Sequence, residues 1–265
     1  MPVTPYNVGT AGALFSSSRL IPLNADRQFP YKTAGKLFFS LPGGTASCSA
    51  AVLSFRLILT AGHCVHSGNG AQSGFFSNWL FIPAYRNGVA PFGKWAASAV
   101  ITTADWGYGG GIVPNPADYA LLELKDQSIN GQLHRIGEVT GFLGSQTLSL
   151  FPNHVHMLGY SSRLDAGKKI HQVTAQSFLQ DLTNNVVFYG TDMAEGSSGG
   201  PWIQNFGVNA VGAPVGLNPG RNRVVGVTSF GLIGNPDLKA ASSILDARFT
   251  DIRTSICIHK AGNCS

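Results

Sequence analysis

Charged side chains are scarce in this chain of 265 residues. Asp, Glu, Lys and Arg make up 12% of it, and the 18 Lys and Arg are dispersed, without a basic block. A net charge of +5 spread in this way argues against nucleic-acid binding. No apolar run approaches the 18 residues of a membrane-spanning helix. The sequence therefore predicts a globular protein with neither nucleic acid nor membrane as a partner.

Cysteine is also rare, and its spacing is informative. Cys48, Cys64, Cys257 and Cys264 include no CxxC pair. Zinc sites usually take their ligands from close pairs, so the spacing favours two disulfides, no metal and an oxidising compartment. Of the three possible connectivities, we favour Cys48 with Cys64 and Cys257 with Cys264, because each closes a short loop. Buried free thiols in a cytosolic protein are the alternative. No classical signal peptide occupies Met1 to Ser18, so the prediction of a secreted protein rests on the cysteines.

Turn-forming residues are plentiful, with Gly 33 and Pro 14 spread along the chain. They bound short segments rich in Val, Ile, Leu, Phe and Thr, at residues 35–41, 48–54, 56–62, 118–124, 185–190 and 223–231. Such lengths and spacing predict strands of a β-barrel or sandwich protein. The polar region at residues 125–145 is the predicted seam between two halves.

One helix is predicted near the C-terminus. Apolar side chains recur at helical spacing there, at Leu245, Phe249, Ile252 and Ile256. Ser242 or Ser243 is the predicted N-cap, because a serine hydroxyl can accept a hydrogen bond from a free N–H of the first turn.

Three segments offer the parts of a serine hydrolase. "LTAGHC" places His63 directly after a strand, "ADYALLEL" places Asp118 at the mouth of an apolar strand, and "GSSGGP" places Ser198 between glycines. A serine nucleophile needs a base, a group that orients the base, and N–H donors for the oxyanion. Asp105 is a rival carboxylate, but its Gly-rich setting indicates an exposed loop.

These segments resemble TAAHC, DIALL and GDSGGP of the chymotrypsin/trypsin-like serine peptidases, in the same chain order. The resemblance implies an all-β fold of two six-stranded antiparallel barrels with a C-terminal helix, and an active site in the cleft between them. It implies His63 as base, Asp118 as orienting acid and Ser198 as nucleophile, with the N–H groups of Gly196 and Ser198 as oxyanion hole. Cys48 and Cys64 fall at the family's disulfide around the histidine loop.

The same resemblance predicts the organisation and partners of the chain. Residues 20–135 would form the barrel with His63 and Asp118, and residues 136–265 the barrel with Ser198 and the helix. Residues 1–19 would be an extension or the remnant of a pro-segment. The expected partner is a protein or peptide substrate of a monomeric enzyme that uses no cofactor.

Ser197 departs from the pattern of the animal enzymes, which carry Asp there and pair it with a freed N-terminus. The departure is similar to the bacterial branch that contains the glutamyl endopeptidases. "LIPLNADRQ" (20–28) and "YGTDM" (189–193) are also similar to segments of that branch. This similarity predicts that the chain is cleaved near Arg19 during maturation.

Specificity is predicted from Asp192, which lies six residues before the nucleophile. In trypsin-like members an acid at this position lies at the base of the primary pocket and attracts Lys or Arg. Thr228 stands where glutamyl endopeptidases have a histidine, which counts against a preference for Glu. Ser229, Phe230 and Gly231 resemble the strand that pairs with the substrate backbone. We therefore predict cleavage after Lys or Arg, with cleavage after Glu or Asp as the alternative.

Two other readings of the sequence predict different proteins. Residues 196–200 also satisfy GxSxG, the nucleophile elbow of α/β-hydrolases, but only His259 follows Ser198 and no alternation of strands and helices surrounds the motif. A protease-like binding protein or toxin is the non-catalytic alternative. It usually lacks a triad residue, and here none is missing.

Overall fold

The computed structural model describes residues 13–209, 220–231 and 238–265, and within them the chain is mostly β. The strands of the described residues are β1 (Phe15–Arg19), β2 (Ala34–Leu41), β3 (Gly44–Val52), β4 (Leu57–Thr60), β5 (Ser77–Pro83), β6 (Trp95–Thr102), β7 (Ala120–Leu124), β8 (Gln127–Ile129), β9 (Gln132–His134), β10 (Gly144–Ser145), β11 (His154–Gly159), β12 (His171–Asp181), β13 (Val186–Gly190), β14 (Pro201–Gln204), β15 (Arg223–Val227), β16 (Phe230–Gly231) and β17 (Lys239–Ser243). The α-helices are α1 (Ala104–Gly107), α2 (Ile136–Thr140) and α3 (Ala247–His259). None of the helices described is long and apolar enough to cross a membrane.

The first half closes into a six-stranded barrel in the order β2, β3, β4, β7, β6, β5. Alternate residues of β3 show how the barrel is built: Cys48, Ala50 and Val52 point into its interior, whereas Ala51 packs in a second cluster shared with the other half. Successive side chains of a strand point to opposite faces of the sheet. Both faces of β3 are buried at residues 48–52, and both carry apolar side chains there. The barrel core and the contact between the halves are thus built by the same strands.

The second half is a sheet in the order β10, β15, β14, β11, β12, β13, β17, β16, and β1 also pairs with β12. The sheet curls back on itself beyond β15. The N–H of Ser229 donates to the carbonyl of Ala241 at 2.9 Å, and the N–H of Val227 donates to Ser242 Oγ at 2.9 Å, so β17 returns against the end of β15. The predicted all-β class with two β units and a C-terminal helix is confirmed.

The described part of the N-terminal extension is built into the second half of the chain. Strand β1 pairs antiparallel with β12, from Phe15 opposite Ala175 to Arg19 opposite His171. Phe15 is buried in the core of that sheet, and Arg19 forms an ion pair with Asp165. Residues 15–19 therefore pack as a strand of the folded protein.

The C-terminal helix begins later than the sequence predicts. Its N-cap is Asp246, whose Oδ1 accepts from the N–H of Arg248 at 3.0 Å, so the predicted caps Ser242 and Ser243 are wrong. Both serines belong to β17, which pairs with β13. The physical reason is that strand pairing holds these residues extended, and Asp246 is the first oxygen-bearing side chain after the strand ends.

Candidate active site

His63 lies in a short 3-10 turn, residues 62–64, directly after β4. The turn is held by the disulfide between Cys48 and Cys64, whose Cα atoms are 6.2 Å apart, so β3 and the histidine turn are covalently joined. Trp106 packs against the histidine, with ring centroids 6.0 Å apart. Gly62 is required here, because a Cβ at this position would lie 2.7 Å from the Trp106 ring. The His63 side chain keeps about 29% of its surface exposed to solvent.

Asp118 lies two residues before β7, next to the histidine turn, and is fully buried. Its carboxylate accepts three hydrogen bonds: Oδ2 from His63 Nδ1 at 2.8 Å and from Ser229 Oγ at 2.5 Å, and Oδ1 from the backbone N–H of His63 at 2.9 Å. A buried carboxylate is stable only when its oxygens are satisfied in this way.

The charge states of this pair are set by burial and by mutual attraction. Burial alone would lower the pKa of His63, but the negative charge of Asp118 and the hydrogen bond to it outweigh burial, so the pKa of His63 is raised above 6.5. Burial alone would raise the pKa of Asp118, but His63 and the hydroxyl of Ser229 hold it below its ordinary value. Asp118 is therefore ionised at neutral pH and orients a histidine that can take up a proton.

Ser198 lies in a turn at residues 194–200 that we call the serine turn. Gly196 and Gly199 have φ of +87° and +76°, and a Cβ on Gly196 would lie 2.6 Å from the carbonyl of Tyr160. Only glycine adopts such a conformation at this contact without strain. The turn is further held by Ser197 Oγ, which donates to the carbonyl of Ala194 at 2.6 Å.

The backbone N–H groups around Ser198 divide into two sets. Those of Ser197, Gly199 and Gly200 donate to carbonyls of Ala194, Thr228 and Ser197, at 3.0, 2.7 and 2.9 Å. The N–H groups of Gly196 and Ser198 have no acceptor within the part of the chain that the structure describes. They are the two donors that the sequence assigns to the oxyanion hole, and they are free to bind an oxyanion.

The serine turn packs against the histidine segment, and the histidine in turn is hydrogen-bonded to Asp118. A Cβ on Gly199 would clash with Thr60 Oγ1 and lie 2.8 Å from the N–H of Ala61, two residues before His63. The carbonyl of Ser198 accepts from the N–H of Ser49 at 2.7 Å. The three residues that the motifs single out therefore belong to segments in direct contact, at the boundary between the two halves.

Residues 228–231 run beside this cluster, and two of their side chains have partners in the interior. Thr228 Oγ1 accepts from Trp202 Nε1 at 2.9 Å, and Ser229 Oγ donates to Asp118. Phe230 and Gly231 form β16, the last strand in the sheet order, so its outer edge has no neighbour among the described strands. Such an edge can accept an extended peptide as an added strand. The contact of Ser229 with Asp118 was missed by the sequence reasoning, which placed this residue only against substrate.

Asp192 is buried and lines a cavity of about 350 Å³. Its Oδ1 has no hydrogen-bond partner among the described residues, and burial raises the pKa of the carboxyl, an effect that a hydrogen bond from Ser17 partly offsets. The other lining residues are Ser17, Ser18, Arg19, Arg163, Leu164, Asp165 and His171. The structure thus places Asp192 beside β1 and the 163–171 segment, and neither Ser198 nor residues 228–231 line this cavity.

The remaining candidate residues have structural partners. Cys257 and Cys264 form the second disulfide, which joins α3 to the C-terminal tail. Cys48, His63 and Cys64 are close enough to suggest a metal site, but both sulfur atoms are joined in the first disulfide and cannot act as thiolates. His259, which the α/β-hydrolase reading requires, binds Glu123 at 2.8 Å.

The mostly β fold and the pairing of His63 with Asp118 are those expected of a serine hydrolase, and comparison with known proteins gives the family. The sequence model of the trypsin-like peptidase domain matches residues 48–217. The chain therefore belongs to the trypsin-like peptidases, and it is a serine endopeptidase that acts on protein or peptide substrates. No curated protein sequence matches it.

Solved structures of serine proteases share its fold. The protease Anisep from Arthrobacter nicotinovorans is 25% identical with a TM-score of 0.70, over 88% of this chain and 98% of that one. The thermostable serine protease AL20 from an extremophilic microorganism is 24% identical with a TM-score of 0.70, over 86% and 98%. A Glu endopeptidase is 17% identical with a TM-score of 0.67, over 94% and 98%. The branch of the family that the sequence resembles is thus represented among its structural neighbours.

Proposed function

We propose that this peptidase is secreted, acts as a monomer, and cleaves peptide bonds through a triad of His63, Asp118 and Ser198. The observation that carries the proposal is the buried Asp118 carboxylate, which accepts both the ring Nδ1–H and the backbone N–H of His63. This arrangement fixes the tautomer and leaves Nε2 to take a proton. Two disulfides in one chain support an oxidising compartment.

The chemistry proceeds by acyl transfer in two steps. Ser198 Oγ attacks the scissile carbonyl while His63 Nε2 accepts its proton, and the oxyanion binds the N–H groups of Gly196 and Ser198. His63 then gives the proton to the leaving amine, which completes the acyl-enzyme. Water then attacks the ester while His63 takes one of its protons, and His63 returns that proton to Ser198 Oγ as the acid leaves. Every proton transfer uses the same histidine, so neither cofactor nor metal is needed.

For the acyl side of the cut we propose Lys or Arg, with Asp192 as the acid that attracts it. Its buried Oδ1 accepts no hydrogen bond from the residues that the structure describes, and a cationic side chain would supply a donor. One observation favours Glu or Asp instead: the exposed Arg163 lines the same cavity, and a guanidinium there would attract a carboxylate. The Glu endopeptidase among the structural neighbours agrees with that second candidate.

The first experiment is a cleavage-site profile on a mixed peptide library, read by mass spectrometry, for wild type and Ser198→Ala. Cuts that are absent in Ser198→Ala support the triad, and equal cutting by both proteins would contradict it. A protein that cuts nothing yet retains a binding partner in the Ser198→Ala form would be a protease-like binding module.

The pocket is tested with two further variants in the same profile. If Asp192 selects Lys and Arg, Asp192→Asn loses those cuts while Arg163→Gln keeps them. If Arg163 selects Glu and Asp, the wild type cuts after those residues, Arg163→Gln loses these cuts, and Asp192→Asn keeps them.

A further inference from the structure

The serine turn lacks the aspartate at position 197 that could hold it through an ion pair, so other contacts must fix its two free N–H groups. Residues 160–167, which we call the bracing loop, supply several. The N–H of Ala194 donates to Ser161 Oγ at 2.9 Å, and the N–H of Ser162 donates to the carbonyl of Glu195 at 2.7 Å. The bracing loop thus binds the serine turn immediately before Gly196.

The backbone of the bracing loop is itself strained. Asp165 and Ala166 have φ of +50° and +51°, in the left-handed region that residues with a Cβ avoid. Each such residue costs about 1–3 kcal/mol and persists only where surrounding contacts enforce it. Within the loop, the N–H of Gly167 donates to the carbonyl of Ser161 at 3.0 Å. Something outside the loop must hold it as well.

From outside the loop, Arg19 holds Asp165 through an ion pair, and a buried lysine of the first barrel holds Gly167. Lys36 is 9% exposed, and its Nζ donates to the carbonyl of Gly167 at 2.7 Å. The ammonium otherwise faces the rings of Phe38 and Tyr85, at 5.4 and 5.5 Å from their centroids. A lysine is almost never buried without a partner, so a single carbonyl acceptor in this setting is a strong tether.

Ser49, the cross-strand partner of Lys36 on β3, makes a parallel contact. Ser49 Oγ donates to the carbonyl of Gly196 at 2.8 Å and accepts from the N–H of Tyr160 at 2.9 Å. Directly opposed residues of an antiparallel pair project from the same face of the sheet. One cross-strand pair of the first barrel therefore touches both the serine turn and the loop that braces it.

We propose that Lys36 and Ser49 are positioning residues for the reaction: Ser49 holds the serine turn directly, and Lys36 holds it through the bracing loop, so that the N–H groups of Gly196 and Ser198 point into the oxyanion hole. The proposal rests on the function proposed above. Neither side chain touches the substrate; both act through the backbone that carries the oxyanion donors.

The main test compares Lys36→Met with Lys168→Met. Met keeps the length and apolar stem of lysine but removes the donor. Lys168 lies next to the bracing loop with an exposed side chain and no side-chain partner in the described structure, which makes it the matched control. We expect Lys36→Met to lower kcat about 10- to 100-fold with KM within about threefold, since a misplaced oxyanion donor costs rate and not ground-state binding. Lys168→Met should leave both constants unchanged.

A second readout does not depend on activity. Hydrogen–deuterium exchange of the peptide covering residues 191–200 should be about tenfold faster in Lys36→Met and in Ser49→Ala than in wild type or Lys168→Met. Lys36→Arg, which keeps a cationic donor, should recover most of the protection. Exchange at wild-type rates in folded Lys36→Met would overturn the proposal, whether or not the protein is a peptidase.

A double-mutant cycle tests the path from Lys36 through the bracing loop. If Lys36 acts through Ser161, the variant Lys36→Met/Ser161→Ala loses no more activity than the worse of the two single variants. Additive losses would contradict this path. A wild-type protein without Ser198-dependent cleavage would refute the proposed function, whereas an active Lys36→Met with unchanged kcat would refute only the positioning role.

Discussion

Asp118 accepts two hydrogen bonds from one residue, His63, from the ring Nδ1 at 2.8 Å and from the backbone N–H at 2.9 Å. The carboxylate thereby fixes the rotation of the ring together with the turn that carries it. Because Asp118 is fully buried, it has no water to bind instead. The pair is prearranged before substrate arrives.

Replacing Asp118 by Asn should lower kcat by roughly 10⁴ without unfolding the protein, because an amide stabilises the wrong tautomer of His63. Hydrolysis of a chromogenic ester measures the rate, and circular dichroism verifies the fold. Asp105→Asn is the matched control, since Asp105 pairs with Arg248 at the surface. A variant Asp118→Asn with more than about a tenth of the wild-type rate would rule out this assignment.

The pH dependence of kcat/KM should follow His63. The base must be neutral, so activity falls as the pH drops through the pKa of His63 in the substrate-free enzyme. Asp118 raises this pKa above 6.5. In Asp118→Asn the negative charge that raises the pKa of His63 is absent. Burial of the ring remains, and it lowers this pKa because it favours the neutral imidazole. The acid limb of the residual activity should therefore move to lower pH. A limb that stays in place would mean that another group titrates.

Ser229→Ala should lower kcat/KM less than Ser198→Ala or Asp118→Asn does. It removes one of three donors to Asp118, and a hydrogen bond to a charged group is worth about 1.5–3 kcal/mol. We expect kcat/KM to fall about tenfold and the pKa of Asp118 to rise, because the hydroxyl helps to lower it. Kinetics measure kcat/KM and NMR titration of the carboxyl measures its pKa, and Ser243→Ala, which removes the acceptor of the Asp118 N–H, provides a comparison. Unchanged kinetics in Ser229→Ala would show that the hydroxyl is dispensable.

The two disulfides should differ in what they support. Removing either one by paired Cys→Ala substitutions should destabilise the fold by about 2–3 kcal/mol, because the loops that they close are short. Only the bond between Cys48 and Cys64 holds the histidine turn, so only its loss should also lower kcat at temperatures where the protein is folded. Chemical denaturation and kinetics on both pairs of variants test this. Equal effects on kcat would contradict the link to His63.

The sequence was most informative where function restricts local chemistry. The segments around His63, Asp118 and Ser198 need particular residues at consecutive positions, and strands such as β2 and β7 are bounded by turn-formers, so both could be predicted from short stretches. The N-cap of α3 could not. Ser243 is a good cap by type, but its hydroxyl donates to the carbonyl of Asn115 and accepts from the N–H of Asp118, contacts more than 120 residues away in the chain.

The same limit applies to the surroundings of the site. Lys36 and Ser49 face each other across two strands, and they reach Gly167 and Gly196 only because the two halves pack together. No local pattern marks such residues. Asp192 was singled out because it lies six residues before Ser198 in the sequence. The side chains around it include Ser17 and Arg163, which only the fold brings there.

Strand β1 bears on the predicted processing near Arg19. Cleavage there would detach residues that pair with β12 and remove the buried Phe15 from the core, at a cost of about 2 kcal/mol for that side chain alone. A chain that begins at residue 20 should therefore melt on the order of 5 °C lower than one that begins at residue 13. Thermal denaturation of the two proteins measures the difference, and equal melting temperatures would mean that β1 adds no stability.

If processing is the activating step, N-terminal sequencing of fully active protein should find a start near residue 20. An intact strand β1 in fully active protein would instead make residues 17–19 a permanent part of the Asp192 cavity lining.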